Sequence, residues 1–187
     1  MNIYDFDGTL YDGDSTMDFM LYSIKKHPAL LRFLPVQGWA AAMYILKRID
    51  KTTMKQRFYR MFTGYDAEGL LEEFWDKHQH KVFPWYPGQQ EETDIIISAS
   101  PEFLLQPICD RLGIRHLMAS RVDSKTGEYE GLNCWGPEKV IRLKDQMGID
   151  HCSKFFSDSH SDQPLAEIAD KAFIVEKDGS ITDWIFR

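Results

Sequence analysis

The sequence predicts an α/β protein: a doubly wound parallel sheet that carries one small α-helical cap, inserted directly after its first strand. Three observations predict it. A short apolar strand, "NIYDF", opens the chain. A long run of helical patterning follows it, and from Asp94 onward strand and helix patterns alternate. Strands that alternate with helices pair in parallel, because each crossover helix returns the chain to the same end of the sheet.

In the helical run, apolar residues recur at three and four spacing in "STMDFMLYSIKK", "PALLRFLPVQGWAAAMYILKRI", "TTMKQRFYRMF" and "DAEGLLEEFWDKHQ". Pro28, Pro35, Gly64 and Asp66 punctuate them, so four helices are expected in succession. "DIIISAS" then reads as a buried strand. "SPEFLLQPICDRLGI" reads as a helix with Ser100 as its cap and Pro101 in its first turn. "HLMASRVD" and "EYEGLNC" resemble two strands about the turn "SKTG", and "GPEKVIRLKDQMGI" is a helix that starts at Pro137. "KFFSDS" is a strand, "DQPLAEIAD" a short helix, and "AFIVEKDGSITDW" a closing strand pair about Asp178 and Gly179. The expected division is a Rossmann-like core of residues 1–12 and 85–187 with a cap of residues 13–84.

A chain of 187 residues can bury a core without disulfide staples. Cys109, Cys134 and Cys152 are odd in number, far apart and without metal-ligand spacing, which predicts packing thiols and a reducing, cytoplasmic setting. No basic and apolar leader precedes the first acidic cluster, and no charge-free run reaches the roughly twenty residues of a spanning helix. The net charge of −7 argues against nucleic acid as a partner. That charge is uneven: nine Lys or Arg face one Asp between Met20 and Thr63, a local +8 that leaves −15 for the rest.

Ligands of a doubly wound sheet bind at the carboxyl ends of its strands. Asp5 and Asp7 end the first strand, Ser98 and Ser100 the second sheet strand, and Asp158 and Asp162 lie just beyond a third; Lys139 reaches the same edge from a helix start. Four carboxylates so close need a cation, and oxygen-only ligands select a hard ion such as Mg²⁺. A metal held this way keeps positions open for water and phosphate oxygens. Asp5 and Asp7, one residue apart on a strand, share a face, a spacing that suits a nucleophile beside an acid/base. Gly8 removes a Cβ where backbone N–H groups could approach phosphoryl oxygens, and the Ser98 hydroxyl could add a hydrogen bond.

"DFDGTL", the serine Ser98 at the end of the apolar strand in "IIISAS", the lysine of "GPEKVIRL" and the acids of "FFSDSHSDQPL" resemble, in order, the four motifs of the haloacid dehalogenase superfamily of phosphatases. The helical insertion is similar to the small cap of that superfamily's phosphoserine phosphatase branch. The resemblance implies that Asp5 is nucleophile and metal ligand, and that Asp7 is general acid/base with its carbonyl on Mg²⁺. It implies Thr9 as support for the loop, Ser98 and Ala99 at the phosphate, and Lys139 as charge neutraliser. Asp158 is implied as a Mg²⁺ ligand with Asp162 beside it. A proton donor such as Asp7 suits phosphate ester cleavage rather than halide release. Three positions depart from the branch: Ser157 replaces a glycine, "SASPEF" lacks the glycines of the second motif, and the lysine is Lys139 where a close alignment would use Trp135.

Several of these residues also have plain structural roles. Asp12 reads as a turn residue and Ser100 as a helix cap; His160 reads as a solvated loop residue and "VFPWYPG" as packing or a hinge. Asp14 is balanced between a turn and a contact to the substrate. Arg57 and Arg60 are candidates for a substrate anion. The basic cap interleaves with Phe33, Trp39, Tyr44 and leucines, as in helices that lie on an anionic membrane, and it is similar to the same region of the superfamily's bacterial phosphatidylglycerophosphate phosphatases. The expected function is Mg²⁺-dependent hydrolysis of a small phosphorylated metabolite through an aspartyl-phosphate. The alternatives are phosphoserine or lipid-phosphate hydrolysis, with peripheral membrane contact, or a regulatory protein that binds phosphate or metal without turnover. Nothing in the sequence sets an oligomeric state.

Overall fold

Six strands form one sheet in the computed structural model, which describes residues 1–63 and 65–186. Gly64, read above as punctuation, lies outside the described residues. The strands are β1 (Asn2–Tyr4), β2 (Ile95–Pro101), β3 (His116–Ser120), β4 (Cys152–Ser157), β5 (Ala169–Val175) and β6 (Ile181–Asp183). Their order is β3-β2-β1-β4-β5-β6; β1 to β5 pair in parallel and β6 turns back on β5. This is the doubly wound topology that the sequence predicts.

The order places β1 at the switch point, with β2 on one side and β4 on the other. Chains leaving β1 and β4 therefore diverge to opposite faces, and a crevice opens between them at the carboxyl edge. Alternation along the strands builds two cores. Ile3, Ile95, Ile97 and Phe155 face one cluster with Leu143 and Leu165; Tyr4, Ile96 and Phe156 face the other with Phe6, Trp75 and Tyr86. The aromatic segment read as packing or a hinge does pack here: Tyr86 is buried against Tyr4, and Trp85 lies beside Phe156.

The segment between β1 and β2 holds α1 (Ser15–Lys26), α2 (Leu34–Ile45), α3 (Lys51–Tyr59) and α4 (Leu71–His78), with a 3₁₀ turn at Pro28–Phe33. Asp14 caps α1 by accepting from the Met17 N–H, and Asp50 caps α3 by accepting from the Thr53 N–H. The four expected helices are thus present, though "PALLRF" tightens into the 3₁₀ turn. α4 packs on the core helix α5 (Glu102–Leu112): the Trp75 indole N–H donates to the Leu104 carbonyl at 2.8 Å. α6 (Pro137–Met147) and the short α7 (Gln163–Ala166) cover the other face of the sheet. The three cysteines are free and buried.

Two expectations are corrected. Ser100 does not cap α5; Pro101 occupies the cap position and Ser100 lies in β2, because its hydroxyl is used across the sheet edge. "EYEGLNC" is not a strand but a loop joined to the chain after β3 by one bridge, Val122 to Tyr129. Glycines at 127 and 131, both at positive φ, curl it away from the sheet.

Candidate active site

The loop after β1 is folded tightly on itself. The Asp5 N–H still donates to the Phe156 carbonyl at 2.9 Å, so Asp5 continues the parallel pairing, and Asp7 follows at the open edge. The Thr9, Leu10 and Tyr11 N–H groups all turn back onto the Phe6 carbonyl. Gly8 sits at φ 71°, and its N–H is shared between the Tyr11 and Gly13 carbonyls at 2.9 Å each. That N–H is therefore not free for phosphate. The missing Cβ serves a different neighbour: a carbon there would lie within 2.4 Å of an Asp158 carboxylate oxygen. The Asp158 N–H in turn donates to the buried Thr9 Oγ1 at 2.9 Å, which latches the β4 loop onto the β1 loop.

Lys139 lies at the centre of the acids, 2 % exposed, with Nζ donating to Asp5 Oδ1 at 3.0 Å and to Asp162 Oδ2 at 2.6 Å. The start of α6 at Pro137 aims it there. Ser157 Oγ also donates to Asp162 Oδ2, at 3.0 Å, while Asp162 Oδ1 is buried without a partner among the described residues. Asp7 is held from two sides. Its Oδ1 accepts from the Ser15 N–H at the start of α1 (2.6 Å), and its Oδ2 accepts from the Ser100 hydroxyl (2.5 Å). Thr16 Oγ1 lies 2.9 Å from that hydroxyl.

The electrostatics follow from burial. Desolvation pushes the Asp5 carboxyl up to about 7; Lys139 pulls against it, but Asp162, Asp7 and Asp158 add repulsion. Desolvation and the nearby Asp14 push Asp7 up to about 6, against the hydrogen bonds from Ser100 and Ser15. Burial and then Asp162 raise Asp158. Burial alone would lower the Lys139 ammonium, yet Asp5 and Asp162 hold it above its ordinary value. One lysine does not satisfy this group of acids.

Asp5, Asp7, Asp14, Ser98, Ala99, Lys139, Asp158 and Asp162 line a cavity of about 220 Å³. An adjoining cavity of about 490 Å³ shares Asp7, Asp14 and Asp158 with it and includes Gly8 and Asp12. Ser98 is buried, with its hydroxyl accepting from the Ser100 N–H at 3.1 Å. Asp14 caps α1 and lines both cavities.

Arg57 is not brought to this site. Its guanidinium stacks 4.4 Å above the Trp39 ring, and it lines a separate surface depression together with Arg60. The cap cations that do arrive are Lys51 and Lys55, which the sequence reading did not single out. Lys55 Nζ donates to the Ala99 carbonyl at 3.0 Å, and burial, then Lys51, lowers its ammonium. Lys51 lies 5.1 Å over Trp135, which also lines the cavity. Their spacing of four on a helix capped by Asp50 was the available signal. His160 is not simply solvated: it packs edge-on against Trp184 at 4.9 Å.

The donor set fits a hard divalent cation. It is composed of oxygens only, and its carboxyls are raised, first by burial and then by one another. Among the described residues no three His, Cys, Asp or Glu side chains are grouped so as to hold a metal ion by themselves. An open site suits Mg²⁺, which is held through one or two carboxylates and keeps several waters.

A family model for haloacid dehalogenase-like hydrolases matches residues 3–167. A Mycobacterium tuberculosis (strain ATCC 25618 / H37Rv) protein named "Probable phosphatase" is 30% identical over 104 residues, which cover 48% of this chain and 36% of that protein. The chain thus spans little more than a third of that relative. Among solved structures, a protein of unknown function from Bordetella pertussis Tohama I superposes with a TM-score of 0.74 at 20% identity, covering 92% of this chain and 87% of that one. A phosphoserine phosphohydrolase-like protein from Francisella tularensis subsp. tularensis SCHU S4 gives 0.62 at 19%, covering 91% and 84%.

Proposed function

The chain belongs to the haloacid dehalogenase-like hydrolase family, and from that premise we propose that it is a phosphatase that cleaves phosphomonoesters through a phosphoaspartate on Asp5. The observation that carries the reading is the pairing at the edge of β1. Asp5 has one oxygen held by buried Lys139, and Asp7 is fixed between the Ser15 N–H and the Ser100 hydroxyl.

Lys139 engages Oδ1 of Asp5, which leaves Oδ2 as the attacking atom. Oδ2 forms a bond to phosphorus, the bond from phosphorus to the ester oxygen breaks, and Asp7 gives its proton to the departing oxygen. Asp7, now a carboxylate, takes a proton from water. That water's oxygen bonds to phosphorus, the bond to Asp5 breaks, and inorganic phosphate leaves. A carboxyl raised to about 6 is poised to do both halves of this work near neutral pH. Asp5, Asp158 and the Asp7 carbonyl would hold Mg²⁺ with Asp162 behind them, and the ion would supply positive charge to the phosphoryl oxygens. Lys51 and Lys55 bring two cations to the cap side of the same cavity, which suits an anionic ester. The substrate proposed is a small phosphorylated metabolite.

The test is turnover of a generic aryl phosphate and of a panel containing phosphoserine, sugar phosphates, nucleotides and phosphatidylglycerophosphate, with Mg²⁺ or EDTA, for wild type and Asp5→Asn. Activity that requires both the ion and Asp5 supports the mechanism, and the preferred ester names the substrate. A folded, Mg²⁺-loaded protein that turns over no ester on the panel overturns the reading.

A further inference from the structure

α2 carries no charged residue on any face, yet it buries a glutamine and exposes large apolar side chains. Its one amide side chain, Gln37, is buried, donating through Nε2 to the Phe58 carbonyl (3.2 Å) and the Met61 sulfur (3.3 Å). Its solvent-facing arc carries Leu34, Trp39, Ala42 and Ile45, continues into Leu46, and contains no charged residue. Ile45 is 76% exposed, Leu46 66% and Trp39 51%. A surface helix ordinarily buries its apolar stripe and shows water its polar one. Here tertiary packing takes Gln37 and Ala40, and an apolar face is left without a partner among the described residues.

The rim of that face is basic. Arg32 precedes the helix, Lys47 and Arg48 follow it, all exposed, and Arg57 lies over the Trp39 ring. The nine cations between Met20 and Thr63 stand against a remainder of −15. An anionic surface would therefore repel most of the molecule and attract this part, which fixes an orientation as well as an attraction. A second copy of the chain meeting the same face about a two-fold axis would instead bring two basic rims together. Twelve residues of helix extend about 18 Å, too short to span a bilayer but long enough to lie in its interface.

We propose that this face docks the protein on an anionic lipid bilayer, with Leu34, Trp39, Ile45 and Leu46 entering the headgroup boundary and Arg32, Lys47 and Arg48 among the lipid headgroups. The inference is independent of the catalytic reading. No helix among the described residues is long and apolar enough to cross a membrane, so the contact is peripheral.

Sedimentation with vesicles of phosphatidylcholine, with and without phosphatidylglycerol, tests it. The wild-type protein pellets with the anionic vesicles, less so as salt rises, and stays in solution with the neutral ones. The double variant Ile45→Glu, Leu46→Glu stays in solution with both. Lys47→Gln and Arg48→Gln each weaken partitioning by about fivefold. Ile141→Glu, which changes an exposed apolar residue on α6, leaves binding unchanged. Circular dichroism establishes that each variant is folded. Wild-type protein that stays in the supernatant with anionic vesicles at low salt overturns the proposal. So does a concentration-dependent dimer, seen by sedimentation velocity without lipid and abolished by the Glu pair, which would assign the face to a second copy.

Discussion

Asp18 and the Asp5–Asp7 pair lie close in sequence, are all partly or fully buried carboxylates, and are shifted in opposite directions. Asp18 is matched: Lys81 Nζ and the Tyr11 hydroxyl each donate to its Oδ2 at 2.6 Å, and they hold its carboxyl below the ordinary range against the burial that would raise it. Asp5 and Asp7 are outnumbered. Asp5 shares the Lys139 ammonium with Asp162, Asp7 contacts no ammonium directly, and burial lifts the two to about 7 and about 6. A matched acid ties α1 to the start of the core. An unmatched group stores electrostatic cost that a cation or a phosphoryl group can relieve.

The largest way to break the contrast is Asp5→Asn. Turnover is expected to fall at least about a thousandfold, because a nucleophile is lost rather than a contact weakened. The metal-free variant is nevertheless expected to melt higher than metal-free wild type at pH 8, since one unmatched charge is gone. Parallel activity and thermal-shift measurements check both, and a lower melting temperature would show that Asp5 was already well paired.

Lys139→Met should come next. Removing the ammonium that both acids share leaves Asp5 and Asp162 facing each other, and breaking a buried pair from one side costs about 3–5 kcal/mol. Urea unfolding should show a loss that shrinks as pH falls, because protonated acids no longer need the lysine.

The pH dependence of stability separates the two regions by sign. For Asp5 and Asp7 the folded protein holds protons that the unfolded chain has released, so metal-free protein loses stability as pH rises from about 4 through about 7. Asp18 acts oppositely: its contribution is present above the ordinary carboxylate range and is lost as pH falls through its lowered folded value. Mg²⁺ should flatten the first slope and leave the second. Asp18→Asn, the smallest of these effects, should cost about 1 kcal/mol at neutral pH and remove only the acid-side loss.

Much of this was legible in the sequence because the relevant signals are local. α1 begins at Ser15 and ends at Lys26, as the spacing in "STMDFMLYSIKK" predicts, and the acids after β1 and β4 meet because strand order alone sends them to one edge. What was not legible depends on direction rather than spacing. On α3, Lys51 and Lys55 share a face, whereas Arg57 is displaced by about 200° from Lys55 and points to Trp39. No pattern within α3 says which face meets the core. Ser100 has the local chemistry of a helix cap, yet Asp7 claims its hydroxyl across a contact between residues far apart in the chain. The buried Gln37 likewise breaks the rule that orients an amphipathic helix, and only the packed structure shows which side of α2 is out.

The latch between Thr9 and the Asp158 backbone joins positions 149 residues apart, and the Lys139–Asp5 contact joins positions 134 apart. Synthesis proceeds from the N-terminus, so the nascent chain presents Asp5 and Asp7 long before Lys139 or Asp158 exists. Contacts of such long range form late and slowly. Asp5 and Asp7 are therefore made well before their partners Lys139, Asp158 and Asp162, and the full set of contacts requires β4 to pair beside β1.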